Sequence, residues 1–205
     1  MGVQACLMTF RPLLILLSAC AAPLTAPHPP QQQATPTGDL HDFDFIAGAW
    51  TLDNHRLKSR FTGSNDWDDF PAVSCGAVYM GGVVNVDELH FPTKGWGGVT
   101  FRHFDVAERK WSIYWVNSKS GKLFPPVVGG FTGERGEFFG VDEDDGHPVK
   151  VRFLWIKHDA DHAHWEQAFS RDGKTWETNW KNDLTRADPT KVCDGAQPRR
   201  AVGAP

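Results

Sequence analysis

From His41 to Arg186 the apolar residues recur at every second position, and short clusters of Gly, Asp and Asn interrupt the alternation. Trp111, Ile113 and Trp115 alternate with Ser112 and Tyr114; Val149, Val151, Phe153 and Trp155 flank Lys150 and Arg152; Trp165, Gln167 and Phe169 alternate with His164 and Glu166. A period of two puts one face of each segment on a core and the other toward water, which is the signature of a half-buried strand. The pattern predicts ten strands, near 48–59, 71–79, 83–91, 97–105, 110–117, 127–132, 136–142, 148–158, 162–170 and 174–184. Turn residues stand at Ser120-Gly121, Gly133 to Gly136, Asp145-Gly146 and Asp172-Gly173, and the two Asp-Gly pairs suit tight hairpins. No window carries a long amphipathic helix. At most Asp39 to Ala47 forms a short one, whose Phe43 and Ile46 plug an end of the structure.

Ten short strands joined by hairpins hide their edges best by closing on themselves, so the expected fold is all-β, a closed up-and-down antiparallel barrel. A two-sheet sandwich with Greek-key crossings is the alternative, but it needs long connections and the chain has few. Composition alters the picture at the ends. Ala21 to Thr37 carries five Pro and a Gln31-Gln32-Gln33 run with no acidic or basic residue, a stretch that cannot bury enough apolar surface to offset ordering. The reading is a leader over 1–19, a tether over 20–38, a barrel domain over 39–187 and a flexible tail over 188–205. With 21 Lys and Arg against 25 Asp and Glu, and both signs interspersed, there is no basic stripe for nucleic acid.

Leu17-Ser18-Ala19-Cys20, behind Arg11 and the apolar run Pro12 to Leu17, resembles the lipobox of bacterial lipoproteins. That resemblance implies removal of the signal peptide, acylation of Cys20 and a bacterial cell-envelope location. By resemblance to enteric sorting, Ala21 after the cysteine implies the outer membrane, facing the periplasm. Cys6 then leaves with the leader, and Cys75 and Cys193 remain in an oxidising compartment, either as a disulfide or as two free thiols.

Gly48-Ala49-Trp50 resembles the Gly-x-Trp opening of lipocalins and the wider calycin group. The resemblance implies that Trp50 closes the barrel floor and that Arg186 packs across it. Strings over nearly the whole domain, among them Asp42-Phe43-Asp44-Phe45, Ser112-Ile113-Tyr114-Trp115 and Trp165 to Ser170, resemble an uncharacterised family of bacterial lipocalin-like proteins. That match implies a barrel and no chemistry. Ser170-Arg171-Asp172-Gly173-Lys174-Thr175-Trp176 resembles the Asp-box hairpin of sialidases, one residue short, and implies only a tight turn with a Trp folded over it.

For metal chemistry the best cluster is His158, Asp159, Asp161, His162 and His164, but no Cys or further His completes a tetrahedral set. Asp142 to Gly146 lacks the glycine placement of a calcium loop and reads as a solvated hairpin. No metal or cofactor is expected, and no nucleophile-base or phosphate-loop motif is present. What remains are polar residues inside the alternation: Arg56, Asn85, Glu88 and Arg102 early in the chain, then Tyr114, Arg152, Glu166 and Asn179. With the aromatic faces of Trp115, Phe153 and Trp155 they are the candidates to line a ligand cavity, and Arg152 with Glu166 is a candidate pair across adjacent strands. Period two does not say which face is inside. The expected function is therefore the binding of a small apolar or amphipathic molecule by a membrane-anchored barrel. The alternatives are a structural or interaction lipoprotein whose barrel is filled by its nine Trp and its Phe side chains, and an acid-base enzyme.

Overall fold

A computed structural model describes residues 1–2, 35–195 and 197–199. The leader over 1–19, the lipobox and Cys20 lie outside the described residues apart from Met1 and Gly2. Ten antiparallel strands follow one another in sequence and close into a barrel. They are β1 (Gly48–Leu57), β2 (Trp67–Tyr79), β3 (Val84–Phe91), β4 (Trp96–Asp105), β5 (Lys110–Asn117), β6 (Val127–Thr132), β7 (Arg135–Asp144), β8 (His147–Lys157), β9 (His162–Ser170) and β10 (Glu177–Ala187). Closure is made by β1 against β10, from Ala49 opposite Ala187 to Arg56 opposite Trp180, so neither strand is left as an edge. The architecture is compatible with a lipocalin-like fold.

Period two does what the sequence pattern requires. On β3, for example, Asn85, Asp87, Leu89 and Phe91 are buried while their neighbours are half-buried. The Asp145-Gly146 turn between β7 and β8 has φ of 50° and 75°, the mirror-image turn whose twist matches the flanking strands. Two strands start away from their predicted bounds, each for a local reason. β2 begins already at Trp67 because the acidic pair that opens it is held by partners: Asp68 with Lys94 at 2.7 Å and Asp69 with His55 at 2.8 Å. β10 begins only at Glu177, because Asp172 holds the preceding residues in a loop by accepting hydrogen bonds from the backbone N–H groups of Lys174 and Thr175. Those donors, with the hydroxyls of Ser170 and Thr175, hold the Asp172 carboxyl well below the usual carboxylate range.

The end of the barrel at the start of β1 is sealed. Asp39 to Ala47 forms turns and a short 3-10 helix at Asp44–Ile46, and Phe43 and Ile46 are both buried. Phe43 packs edge-on to Trp111 and Phe131, with centroids 5.1 Å away in each case. Trp50 is fully buried, and the Arg186 guanidinium lies 3.8 Å over its ring while donating to the carbonyls of Ala47 and Phe45 at 2.7 and 2.9 Å.

Composition suggests a flexible tail beyond Ala187, whereas residues 189–195 and 197–198 carry local order. Asp188 caps a single turn α1 (Pro189–Val192) by accepting from the Thr190 N–H, and β11 (Cys193–Asp194) pairs with β12 (Gln197–Pro198). The physical reason is a disulfide from Cys193 to Cys75 on β2, which covers the outward-facing Ala49 and Cys75 with Val192. The bond spans 118 residues of sequence, so reduction is expected to lower stability by about 2–5 kcal/mol. Urea unfolding with and without reductant reads this directly; coincident curves would remove the bond from the account.

Candidate functional site

Inside the barrel, above the sealed floor, lies a cavity of about 330 Å³. Its walls are more apolar than polar, with Phe91, Trp96, Trp115, Phe153, Trp165 and Trp180 among the lining side chains. Room for Trp115 comes from Gly98 on the neighbouring strand, where any Cβ would fall on the indole ring.

The deep wall holds a polar network. Arg102 on β4 donates to Asn85 Oδ1 at 2.7 Å and to Asp87 Oδ1, and the Ser74 hydroxyl donates to Asp87 Oδ2 at 3.0 Å. Asn85 in turn donates to the Phe43 carbonyl at 3.3 Å, which ties the network to the floor plug. Arg102 and Asp87 are buried, so each charge depends on the other for compensation. Three buried polar atoms on cavity-lining side chains have no partner among the described residues: Arg102 Nε, Trp155 Nε1 and Asn182 Oδ1. A buried donor or acceptor without a partner costs about 1–3 kcal/mol, and a bound molecule or water with matching groups relieves that cost.

At the open end the loop from Lys58 to Asp66 crosses toward the far side of the barrel. Arg60 Nε donates to Asp144 Oδ1 at 2.7 Å, and the Phe61 N–H donates to both carboxylate oxygens of Glu177 at 2.9 and 2.8 Å. Phe61 sits at a φ of 57°, an uncommon conformation for a residue with a Cβ, and its ring lies under the Arg171 guanidinium at 4.3 Å. Arg56 lies just inside this strap, half-buried, with its guanidinium 4.6 Å over the Trp180 ring. Burial pulls its pKa down, reinforced by the charge of Arg60 and opposed by Asp68 and Asp144. Across the mouth, burial pushes the Asp142 carboxyl up, opposed by a hydrogen bond from the Glu143 N–H and by Lys122.

Of the residues singled out from the sequence, Arg56, Arg102, Trp115, Phe153 and Trp155 line the cavity. Asn85 stands behind it, holding Arg102. Asn179 occupies a bulge in β10 and accepts from the side chain of Gln167, a lining residue. Four others are not among the lining residues. Tyr114 stacks on His103 beside the exposed Phe101, and Arg152 lies 5.2 Å over the Trp176 ring. Glu166 pairs with His164 at 3.1 Å, and Glu88 sits between the inward-facing Asp87 and Leu89. Arg152 stands opposite Ala168, and Glu166 opposite Leu154, so the two do not form the cross-strand pair that their spacing suggests. The reading of residues missed Asp87, Ser74, Asn182, Gln167, Trp180 and Arg60. Asp87, Asn182 and Gln167 carried the same signal as the candidates, a polar residue within an apolar strand.

Among the described residues no group of three or more His, Cys, Asp or Glu side chains is arranged to hold a metal. His162 instead pairs with Asp159 at 2.9 Å, and His164 bridges Asp183 and Glu166 on the outer surface. No protein-family model and no curated protein matches this chain.

Proposed function

We propose that the barrel binds a small apolar or amphipathic molecule in its cavity, and that the chain is held in a bacterial cell envelope by lipid on Cys20. The observation that carries the first half is the cavity itself: about 330 Å³, within the range of small-molecule sites, with a lining more apolar than polar and with polar and charged groups that can orient a ligand. The nine Trp do not fill the barrel, which favours a binding protein over a purely structural one. The anchoring half rests on the lipobox resemblance of Leu17 to Cys20, and with it the outer-membrane, periplasm-facing location. No helix among the described residues is long and apolar enough to cross a membrane.

Mass spectrometry of the protein extracted from its own membrane tests both halves. The expected spectrum shows an acylated chain beginning at Cys20 and a small organic molecule released on denaturation. Cys20→Ser is expected to move the protein out of the membrane fraction. A wild-type chain without lipid mass, together with a variant that stays membrane-bound, would end the anchoring half.

A further inference from the structure

The cavity wall contains several cations, and among the described residues their partners differ. Arg102 is paired with Asp87, and Arg60 with Asp144. Lys119 stands exposed at the rim, 4.5 Å over the Trp96 ring, where water solvates it. Arg56 is the exception: it is half-buried, lines the cavity, and among the described residues has neither an ion pair nor a side-chain hydrogen bond. Its guanidinium lies 4.6 Å over the Trp180 ring, and the planar fork of its N–H donors has no side-chain hydrogen bond among the described residues. A charge taken out of water without a partner is costly, and burial already disfavours the charged form of Arg56. An anion entering the cavity supplies the missing partner, and a carboxylate or similar oxyanion matches the fork with two parallel hydrogen bonds.

The surroundings of Arg56 define the rest of the molecule. From Trp180 a chain of rings runs through the cavity wall, Trp165 at 5.8 Å from Trp180 and Phe153 at 4.9 Å from Trp165, with Trp96 at 6.4 Å and Phe91 at 6.0 Å from Trp180. A flat ring gains offset or edge contacts in such a wall that a flexible alkyl chain does not. Charge number is limited too. Asp142, Glu143 and Asp144 line the same cavity, and Lys119, which has no ion pair among the described residues, stands exposed at the rim, so a second negative charge beside Arg56 meets carboxylates.

We infer that the ligand is an organic monoanion, a carboxylate or equivalent oxyanion on a ring-bearing apolar body, with its charged end on Arg56 and its rings against Trp180, Trp165 and Phe153. This rests on the reading of the barrel as a binding protein.

The test uses the full chain carrying Cys20→Ser, which needs no detergent, titrated at neutral pH by calorimetry and by Trp quenching. The probes are biphenylacetic acid, its primary amide, and decanoic acid. The acid is expected to bind at least about tenfold more tightly than the amide, and more tightly than decanoate. Arg56→Gln is expected to bring the acid-to-amide affinity ratio to about one, the acid losing at least about tenfold more affinity than the amide; Arg56→Lys is expected to keep part of the preference. Equal affinity for acid and amide, a preference that survives Arg56→Gln, or tighter binding of decanoate overturns the inference and leaves the binding barrel standing. No saturable signal from any probe overturns the binding reading itself, and the inference with it. If Arg56→Gln does not fold, the acid-to-amide ratio in the parent and in Arg56→Lys decides.

Discussion

Replacing Asp87 with Ala is expected to cost about 3–5 kcal/mol, because it leaves the buried Arg102 guanidinium without its counter-charge. Both side chains are nearly inaccessible, at 3% for Arg102 and 4% for Asp87, so bulk water replaces little of the lost counter-charge. The Ser74 hydroxyl and Asn85 also lose an ordered partner, since both are held through this pair. The physical content lies in the contrast with the double variant Asp87→Ala/Arg102→Met. Removing both charges removes the uncompensated ion, and the double variant is expected to recover most of the single variant's loss. Urea denaturation midpoints give both numbers. If Asp87→Ala costs less than about 1 kcal/mol, or the double variant is worse than the single, the network is not compensating a buried charge.

Phe43→Ala is expected to be of similar size, about 3–5 kcal/mol. Phe43 is fully buried and belongs to the floor plug and not to a strand, yet Trp111, Phe131, Phe138 and Trp155 all meet its ring, with centroids 5.1 to 5.9 Å away. The Arg102 guanidinium lies 5.0 Å over the same ring, so truncation also loosens the deep polar wall. Phe101→Ala makes the control. That ring is 39% exposed on the outside of β4, and its loss is expected to cost less than about 1 kcal/mol. Comparable losses at the two positions would show that the plug is not a structural part of the barrel floor.

The strands were legible because half-burial writes itself into the sequence as alternation, and β5, β6 and β9 stand where that alternation places them. Closure was legible only as an argument about edges; the pairing of β1 with β10 joins residues far apart in sequence and leaves no local mark. The cavity was half legible, for one physical reason. Neighbouring residues on a strand face opposite sides, so choosing Glu88 over Asp87, or Tyr114 beside Trp115, is a choice of face that periodicity leaves open. Arg152 and Arg56 show the consequence. Both are cations within apolar alternation, yet one stacks on Trp176 away from the cavity and the other lies inside it on Trp180. On β10 the bulge at Asn179 breaks the alternation itself, and Trp180 points inward where a strict period of two carried on from Asn179 sends it out. At the C-terminal end, no sequence pattern announces the order of residues 189–195 and 197–198, because that order is imposed from outside by Cys75.

The central claim, that the barrel interior receives a small molecule, is tested most directly by titrating the protein with a series of amphiphiles and following its intrinsic Trp fluorescence. Five of the cavity-lining residues are Trp96, Trp115, Trp155, Trp165 and Trp180, so occupancy alters the environment of several emitters at once. A saturable response at one molecule per chain, lost when Thr100 in the cavity wall is replaced by Phe, is the result expected. A signal that rises without saturation, or that is unchanged by filling the cavity, would contradict the account.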